Sequence, residues 1–526
     1  LIVYIKLVLL CVFIAITNPS SIDRLGYLCH KFGPAAGILY GVAWTMSGIG
    51  LLAGACIANR FWRFVIGLLV SASTYFYLVN NAISSTSVFI YSYLEMLINA
   101  RSAFFNAVQY YAYYMVQFKV VGVVLIGFLG FLLPVGSDKG RWSQLAKKTK
   151  TLLGVYCLPI AMLLGITMLT IHKTEYGLNG MMVQYIPQSH SVYYMLNQLF
   201  GSTSWEREFP DSVVHQRMAN SPKHIILIID ESVRADYMNK DENSAINLNR
   251  LGYKNHQFNF GSMVSGMNVS DYSKYFIRVG ARPGQPQMGT NRHPFIWQYA
   301  KQAGYKTIYI DNQHDQFNFQ NFMTLEEKSW IDMCVFPREV YSNLITIDHD
   351  SLDIVDTLMD SPTPLFIVLL KNGIHFPYDR SIPTHELSFF PNYTQGSVLD
   401  RPKQSELINS YKNAIQLIID PFFAKLDTLD LSNTVVLYTS DHGQNLLDTQ
   451  SVQTHGSLNN PSVYEGLVPF IVFSDHPKWV RPLRDAVRLN YNALTHFSIY
   501  PTLLTVMGYQ NVSTAHGETI FEHQQV

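Results

Sequence analysis

Four short apolar runs after residue 220 of this chain each end in residues able to bind a cation or a phosphate. These ends are Asp230-Glu231, Asp311-Asn312, Lys371-Asn372-Gly373 with His375 two residues on, and Ser440-Asp441-His442-Gly443. One acid after one strand means little. Four ends that supply carboxylate, amide and imidazole form the pattern of a metal site, because Zn²⁺ takes carboxylate oxygen and imidazole nitrogen readily. No Walker loop and no Gly-x-Gly-x-x-Gly accompanies them, so nothing supports a nucleotide-phosphate cradle.

The elements that must position these residues follow from the apolar pattern. Residues 224–230, HisIleIleLeuIleIleAsp, read as a strand buried on both faces, since the run is continuous rather than alternating. Further strands are expected at 307–312, 365–370, 434–440 and 468–473. Helices are expected between them at 294–305, closed by Gly304, at 405–427, and at 493–508. Alternating strands and helices imply a mostly parallel sheet covered on both faces. Ligands then sit beyond the C-terminal strand ends, where the polar clusters lie.

The first third of the chain is different. The 526 residues exceed what one compact domain usually holds, and the mean hydropathy of +0.08 blends two regions. Long apolar segments near 1–17, 34–57, 62–80, 117–136 and 151–171 read as five membrane spans. The first is short and holds Lys6; it is either clipped or snorkels at its end. The chain starts at Leu1 rather than Met, so native residues are expected ahead of it, and a cleaved signal peptide does not account for five segments. Arg60 and Arg63 fill the second turn, and five Lys/Arg follow Asp138 in the fourth. Short basic loops stay in the cytoplasm, which puts 81–116 and everything after 171 outside. The aromatic segment 81–116 reads as interfacial helix, with Glu95 a solvated acid or a partner for a lipid ammonium. Residues 172–220 read as a linker with surface helices, and 221–526 as the catalytic domain. Formal net charge is zero and no basic stripe is present, so nucleic acid is not an expected partner. Of the five cysteines only Cys334 lies in the polar part, which leaves no disulfide within that domain.

With those residues in view, the chain resembles the phosphoethanolamine transferases, membrane-bound members of the sulfatase and alkaline-phosphatase superfamily. The resemblance rests on ordered motifs: Asp-Glu-Ser-x-Arg after a strand, a hydroxyl-rich loop, Gly-Tyr-Lys-Thr before a strand and Asp-Asn-Gln, then Gly-x-His, Ser-Asp-His-Gly and Thr-His-Gly. It implies a five-span α-helical membrane domain followed by an α/β sulfatase-like domain. Carried over residue by residue, Glu231 is the first metal carboxylate, with Asp230 standing where the family has Gly and competing for the role. Asp441 and His442 are paired ligands. His455 and His375 hold a second metal or the phosphate, or make ordinary structural hydrogen bonds. The nucleophile and fourth metal ligand is Ser270, with Ser273 three residues on to cap the next helix; Ser265 and then Ser262 are the alternatives. Asn312, Lys371, Asn372 and Glu95 are expected to contact substrate, and His293 more weakly. No Cys-x-Pro-Ser-Arg occurs, so sulfate-ester chemistry through formylglycine is not expected.

The resemblance further implies one or two Zn²⁺ ions, or another divalent metal, and a monomer in a bacterial inner membrane with its catalytic domain in the periplasm. Phosphoethanolamine passes from phosphatidylethanolamine through a phospho-serine to a lipopolysaccharide or other envelope glycan. The alternatives are a glycerol-phosphate transferase or phosphodiesterase of the same fold that uses phosphatidylglycerol, and a non-catalytic scaffold.

Overall fold

The computed structural model describes residues 2–17, 25–26, 29–30, 33–84, 118–135, 144, 147–148, 151–152, 154–155, 207–215, 221–238, 257–282, 293–316, 321, 323–378, 382–393, 401–449, 454–456 and 461–523. The chain divides into two compact units, Leu1–Thr203 and Ser204–Val526.

In the first unit, four of the expected apolar segments are helical: α1 (Ile2–Thr17), α2 (Pro34–Ala55), α3 (Arg60–Ser84) and α4 (Phe118–Leu132). Among the described residues no helix is long and apolar enough to cross a membrane. Of the expected fifth span only 151–152 and 154–155 are described, and Glu95 with the rest of 85–116 lies outside the described residues. Leu10 and Phe13 of α1 pack with Leu51, Ile66, Val70 and Phe131 in one apolar cluster. Lys6 does not snorkel. It is fully buried, and its ammonium donates to the Phe131 and Leu133 carbonyls at 3.2 and 2.8 Å. Those carbonyls lack helical partners at the end of α4, so the lysine satisfies them in place of water.

The second unit is built on an eight-stranded sheet. Its strands are β2 (His224–Asp230), β3 (Gln257–Val264), β4 (Lys306–Asp311), β5 (Met333–Val335), β6 (Leu365–Leu370), β7 (Thr434–Ser440), β8 (Leu467–Phe473) and β9 (Leu494–Thr495). A separate ribbon pairs β1 (Val214–His215) with β10 (Tyr509–Gln510). The sheet order is β5-β4-β6-β2-β7-β8-β3-β9. From β5 to β7 all neighbours are parallel, whereas β8 runs antiparallel to both β7 and β3. The expected strands are present to within a residue. β3, β5 and β9 were not foreseen: two are only two or three residues long, and β3 alternates in burial rather than forming an apolar run.

Alternation along β2 divides the core. Ile225, Leu227 and Ile229 face Trp297 of α6 (Ile296–Gln302) and Tyr500 of α10 (Ile499–Met507), with Ile277 of α5 (Ser270–Val279). Ile226 and Ile228 face Leu352 of α7 (Ile347–Met359), Tyr411 of α8 (Gln404–Ala414) and Phe422 and Phe423 of α9 (Asp420–Leu426). The helix expected at 405–427 is thus α8 and α9 joined by a π-helical stretch, Ile415–Ile419. Because β4, β6, β2 and β7 are parallel and in register, their C-terminal ends meet on one edge.

Candidate metal centre

Asp230 pairs with Ser440 across β2 and β7, so the residues that follow, Glu231 and Asp441, leave the sheet side by side. The loop after β2 turns sharply through Ser232, which has φ of 67°. Ser232 then fixes both acids: its amide donates to Asp441 Oδ1 at 3.0 Å and its hydroxyl to Glu231 Oε1 at 2.9 Å. Next to Asp441, the His442 ring places Nδ1 2.8 Å from the Gly443 carbonyl. A carbonyl accepts only, so Nδ1 carries the proton and Nε2 keeps its lone pair, as a metal ligand requires. That Nε2 is 3.5 Å from Glu231 Oε1 and 3.8 Å from Asp441 Oδ2.

Ser270 opens α5, with Val269 as the N-cap. Its hydroxyl is 3.1 Å from His442 Nε2 and 3.3 and 3.4 Å from the two Glu231 oxygens. Ser273 is not the helix cap. It lies inside α5, fully buried, where its hydroxyl donates to the Asp441 carbonyl and meets His496 Nδ1 at 3.0 Å. Ser265 donates its hydroxyl to the Met267 carbonyl at 2.7 Å, and Ser262 lies within β3. One candidate nucleophile therefore faces the acids.

The donor set fits a metal ion. Ligand atoms of Glu231, Asp441 and His442, all buried, lie within 4.8 Å of one another. Asp441 Oδ2 is buried, and its ion-pair contact with Lys274 Nζ at 3.1 Å is not aligned as a hydrogen bond, so its lone pairs stay open to an ion. Two carboxylates, an imidazole and a serine oxygen suit Zn²⁺.

One ammonium faces both acids. Lys274 places Nζ 2.8 Å from Glu231 Oε2 and 3.1 Å from Asp441 Oδ2. Burial alone would raise the Glu231 carboxyl, but the Lys274 ammonium, then His442 and His375, hold it well below the usual carboxylate range. Burial would lower Lys274, and Glu231 and Asp441 outweigh it to raise the ammonium. His455 stacks on His442 with ring centroids 4.3 Å apart, and His375 meets His455 edge-on at 5.8 Å. Desolvation, then His442 and His375, keep His455 well below its ordinary value. Both histidines lie beside the Glu231–Asp441–His442 group.

Other expected contacts are placed elsewhere. Asp230 turns beneath the sheet edge, where Lys371 Nζ and the Tyr438 hydroxyl donate to Oδ2; Glu231 is left as the carboxylate beside His442. Lys371 is fully buried in this pair and over the Phe422 ring, so it faces neither a phosphate nor solvent. Asn312 donates to Asp348 Oδ1 at 2.8 Å and to Ser351; the Asn372 backbone N–H donates to the same Asp348 oxygen at 2.7 Å, and the Asn372 side-chain oxygen accepts from Arg338 at 2.6 Å. Asp348 thus ties the residue after β4 to the loop after β6. His293 is buried against His516, with centroids 4.5 Å apart. Sequence reasoning passed over Lys274, Gln313 and Asp348. Gln313 donates to Glu231 Oε2 at 3.1 Å and to the Lys371 carbonyl at 2.9 Å. Its place in Asp-Asn-Gln, and the position of Lys274 one turn after Ser270, were the available signals; Asp348 offered none.

The Sulfatase family model matches residues 223–509, more than half of the chain. The chain belongs to the sulfatase family. Relatives it is similar to bear out the expected phosphoethanolamine transferase resemblance. Phosphoethanolamine transferase EptC of Escherichia coli is 25% identical over 192 residues, covering 35% of this chain and 33% of the relative. Kdo(2)-lipid A phosphoethanolamine 7''-transferase of Salmonella typhimurium is 21% identical over 306 residues, covering 54% and 52%. The matched region thus spans a third to a half of those relatives. In fold, the chain is similar to the integral membrane protein lipooligosaccharide phosphoethanolamine transferase A of Neisseria meningitidis. That match has a TM-score of 0.61 at 15% identity and covers 95% of this chain and 96% of the other.

Proposed function

We propose that this protein transfers phosphoethanolamine from phosphatidylethanolamine to a lipopolysaccharide or other envelope glycan, through a covalent intermediate on Ser270. The observation that carries the reading is the Ser270 hydroxyl, held 3.1 Å from His442 Nε2 and 3.3 Å from Glu231 Oε1 within a buried carboxylate–imidazole group. The names of its relatives supply the transferred group.

Glu231, Asp441, His442 and Ser270 would hold the ion, Zn²⁺ by their chemistry. Bound there, it lowers the pKa of the serine hydroxyl and offsets charge on the phosphoryl oxygens. Ser270 Oγ forms a bond to phosphorus as the bond to the diacylglycerol oxygen breaks, and the serine proton leaves with that oxygen as the free alcohol. An acceptor hydroxyl or phosphate oxygen then attacks phosphorus and releases Ser270. His375 and His455 border the site, where they can meet phosphoryl oxygens as these gain charge. Lys274 and Gln313 hold Glu231 in place.

The membrane reading belongs to the same proposal: five spans in 1–171, Glu95 at headgroup level for the ethanolamine ammonium, and a catalytic unit on the periplasmic side of an inner membrane. A donor lipid and an amphiphilic acceptor would both reach the site from the bilayer plane. The protein is expected to act as a monomer.

The test is incubation with head-group-labelled phosphatidylethanolamine, with and without chelator, followed by intact mass. A metal-dependent gain of one phosphoethanolamine mapped to Ser270 supports the reading. A glycerol-phosphate adduct formed from phosphatidylglycerol instead would overturn the donor and keep the site.

A further inference from the structure

Lys274 lies one helical turn after Ser270 on α5, so both side chains leave the same face of the helix. Its side chain is 2% exposed and bridges Glu231 Oε2 and Asp441 Oδ2, with Gln313 Oε1 at 3.4 Å. A fixed positive charge is therefore buried against two of the residues that form the candidate metal group. Two carboxylates about to receive a divalent cation have no electrostatic need of a further cation, which competes with the ion. Its use lies in the state without metal, where two buried carboxylates side by side would repel each other and spread. Glu231 divides its oxygens accordingly: Oε2 accepts from Lys274 and Gln313, whereas Oε1 accepts from Ser232 and faces His442.

We propose that Lys274 is the internal counter-ion of this centre. It holds Glu231 and Asp441 at ligand spacing before an ion arrives, and it sets which ions the centre takes. The carboxylate pair carries two negative charges and Lys274 cancels one. Calcium and magnesium depend on accumulated oxygen charge, whereas zinc also gains from imidazole. The counter-ion lowers the affinity of each divalent ion by a similar amount, which leaves zinc, with its bond to imidazole, able to bind and takes the weaker calcium and magnesium below useful affinity. The proposal rests on the reading that a metal binds at Glu231, Asp441 and His442. Lys274 acts as a positioning residue, since it reaches the reacting atoms only through the ligands.

The experiment is thermal melting of the full chain in detergent, as wild type, K274M and K274Q, in chelator, in zinc chloride and in calcium chloride. Wild type is expected to gain Tm with zinc and little with calcium. Both variants should melt below wild type in chelator, gain more from zinc than wild type does, and acquire a response to calcium. Calcium should bind them at least about tenfold more tightly, because a unit charge a few ångströms away contributes that much even at an effective dielectric of about 20. Equal deficits in all three conditions would reduce Lys274 to a packing role and overturn the proposal. So would variants that zinc fails to restore, since the ion should replace the missing charge. A wild type indifferent to zinc would instead remove the metal reading itself.

Discussion

Ser270 and Ser265 are five residues apart in one hydroxyl-rich loop, and their surroundings separate them. Ser265 is committed to the Met267 carbonyl, whereas the Ser270 hydroxyl faces Glu231 and His442. The substitution S270A is therefore expected to abolish the mass adduct and lower turnover on the order of 10³-fold or more, while S265A leaves both close to wild type. Intact mass and turnover of labelled lipid check this, and an adduct surviving in S270A would reassign the nucleophile.

At the scale of elements, the loop after β6 sets the position of Glu231. Gly373 has φ of +59°, and a Cβ there would lie 2.6 Å from Glu231 Cβ and 2.7 Å from the Glu231 backbone nitrogen. Backbone cannot yield as a flexible side-chain tip can, so G373A should cost about 1–3 kcal/mol and also weaken zinc binding by displacing Glu231. Denaturant unfolding and zinc titration test the two effects together; a stable variant with unchanged zinc affinity would contradict the argument. The core behind α6 carries a separate pH dependence. Burial, then His293 and Arg282, push His516 from 6.5 down to about 3, and its Nε2 meets the Tyr299 hydroxyl at 2.8 Å. The unfolded chain binds a proton at this residue below about 6.5 that the folded chain refuses, so stability falls as pH drops through 6.5 and continues to fall towards 3. H516Q should flatten that slope when Tm is followed from pH 7 to 4.

At the scale of the whole molecule, the exposed large apolar side chains among the described residues are concentrated in the first unit. Tyr4, Val8 and Ile16 on α1, Ile38 on α2, Phe61 and Leu68 on α3, and Leu125 and Leu129 on α4 are all exposed. Several outward apolar side chains on each of four helices are what a lipid-facing surface needs and what water penalises. The full chain should therefore sediment with membranes, resist high salt and alkaline washing, and be released only by detergent. Release by salt alone would remove the membrane reading of the first unit.

The strands that carry the site were legible because apolar runs as short as 224–230 and 365–370, ended by polar residues, suit buried strands better than helices, and alternation with helices favours a parallel sheet. Parallel strands in turn bring Glu231, Asp441 and His442 to one edge whatever the loops do. The order of motifs was enough to indicate the family. Which of two neighbouring side chains faces the cleft was left open, since direction beyond a strand end depends on loop dihedrals and distant partners. The positive φ of Ser232 and the Lys371–Asp230 pair together turn Asp230 under the sheet and Glu231 towards His442. Asn312 and Asn372 were drawn to Asp348, which arrives on α7 from a stretch with no motif. Lys274 read as one more charged residue on a short helix until tertiary packing enclosed it between two carboxylates. Local pattern determines which elements form and how their ends align; only the packed structure, through contacts between residues far apart in the chain, decides which charges are buried together.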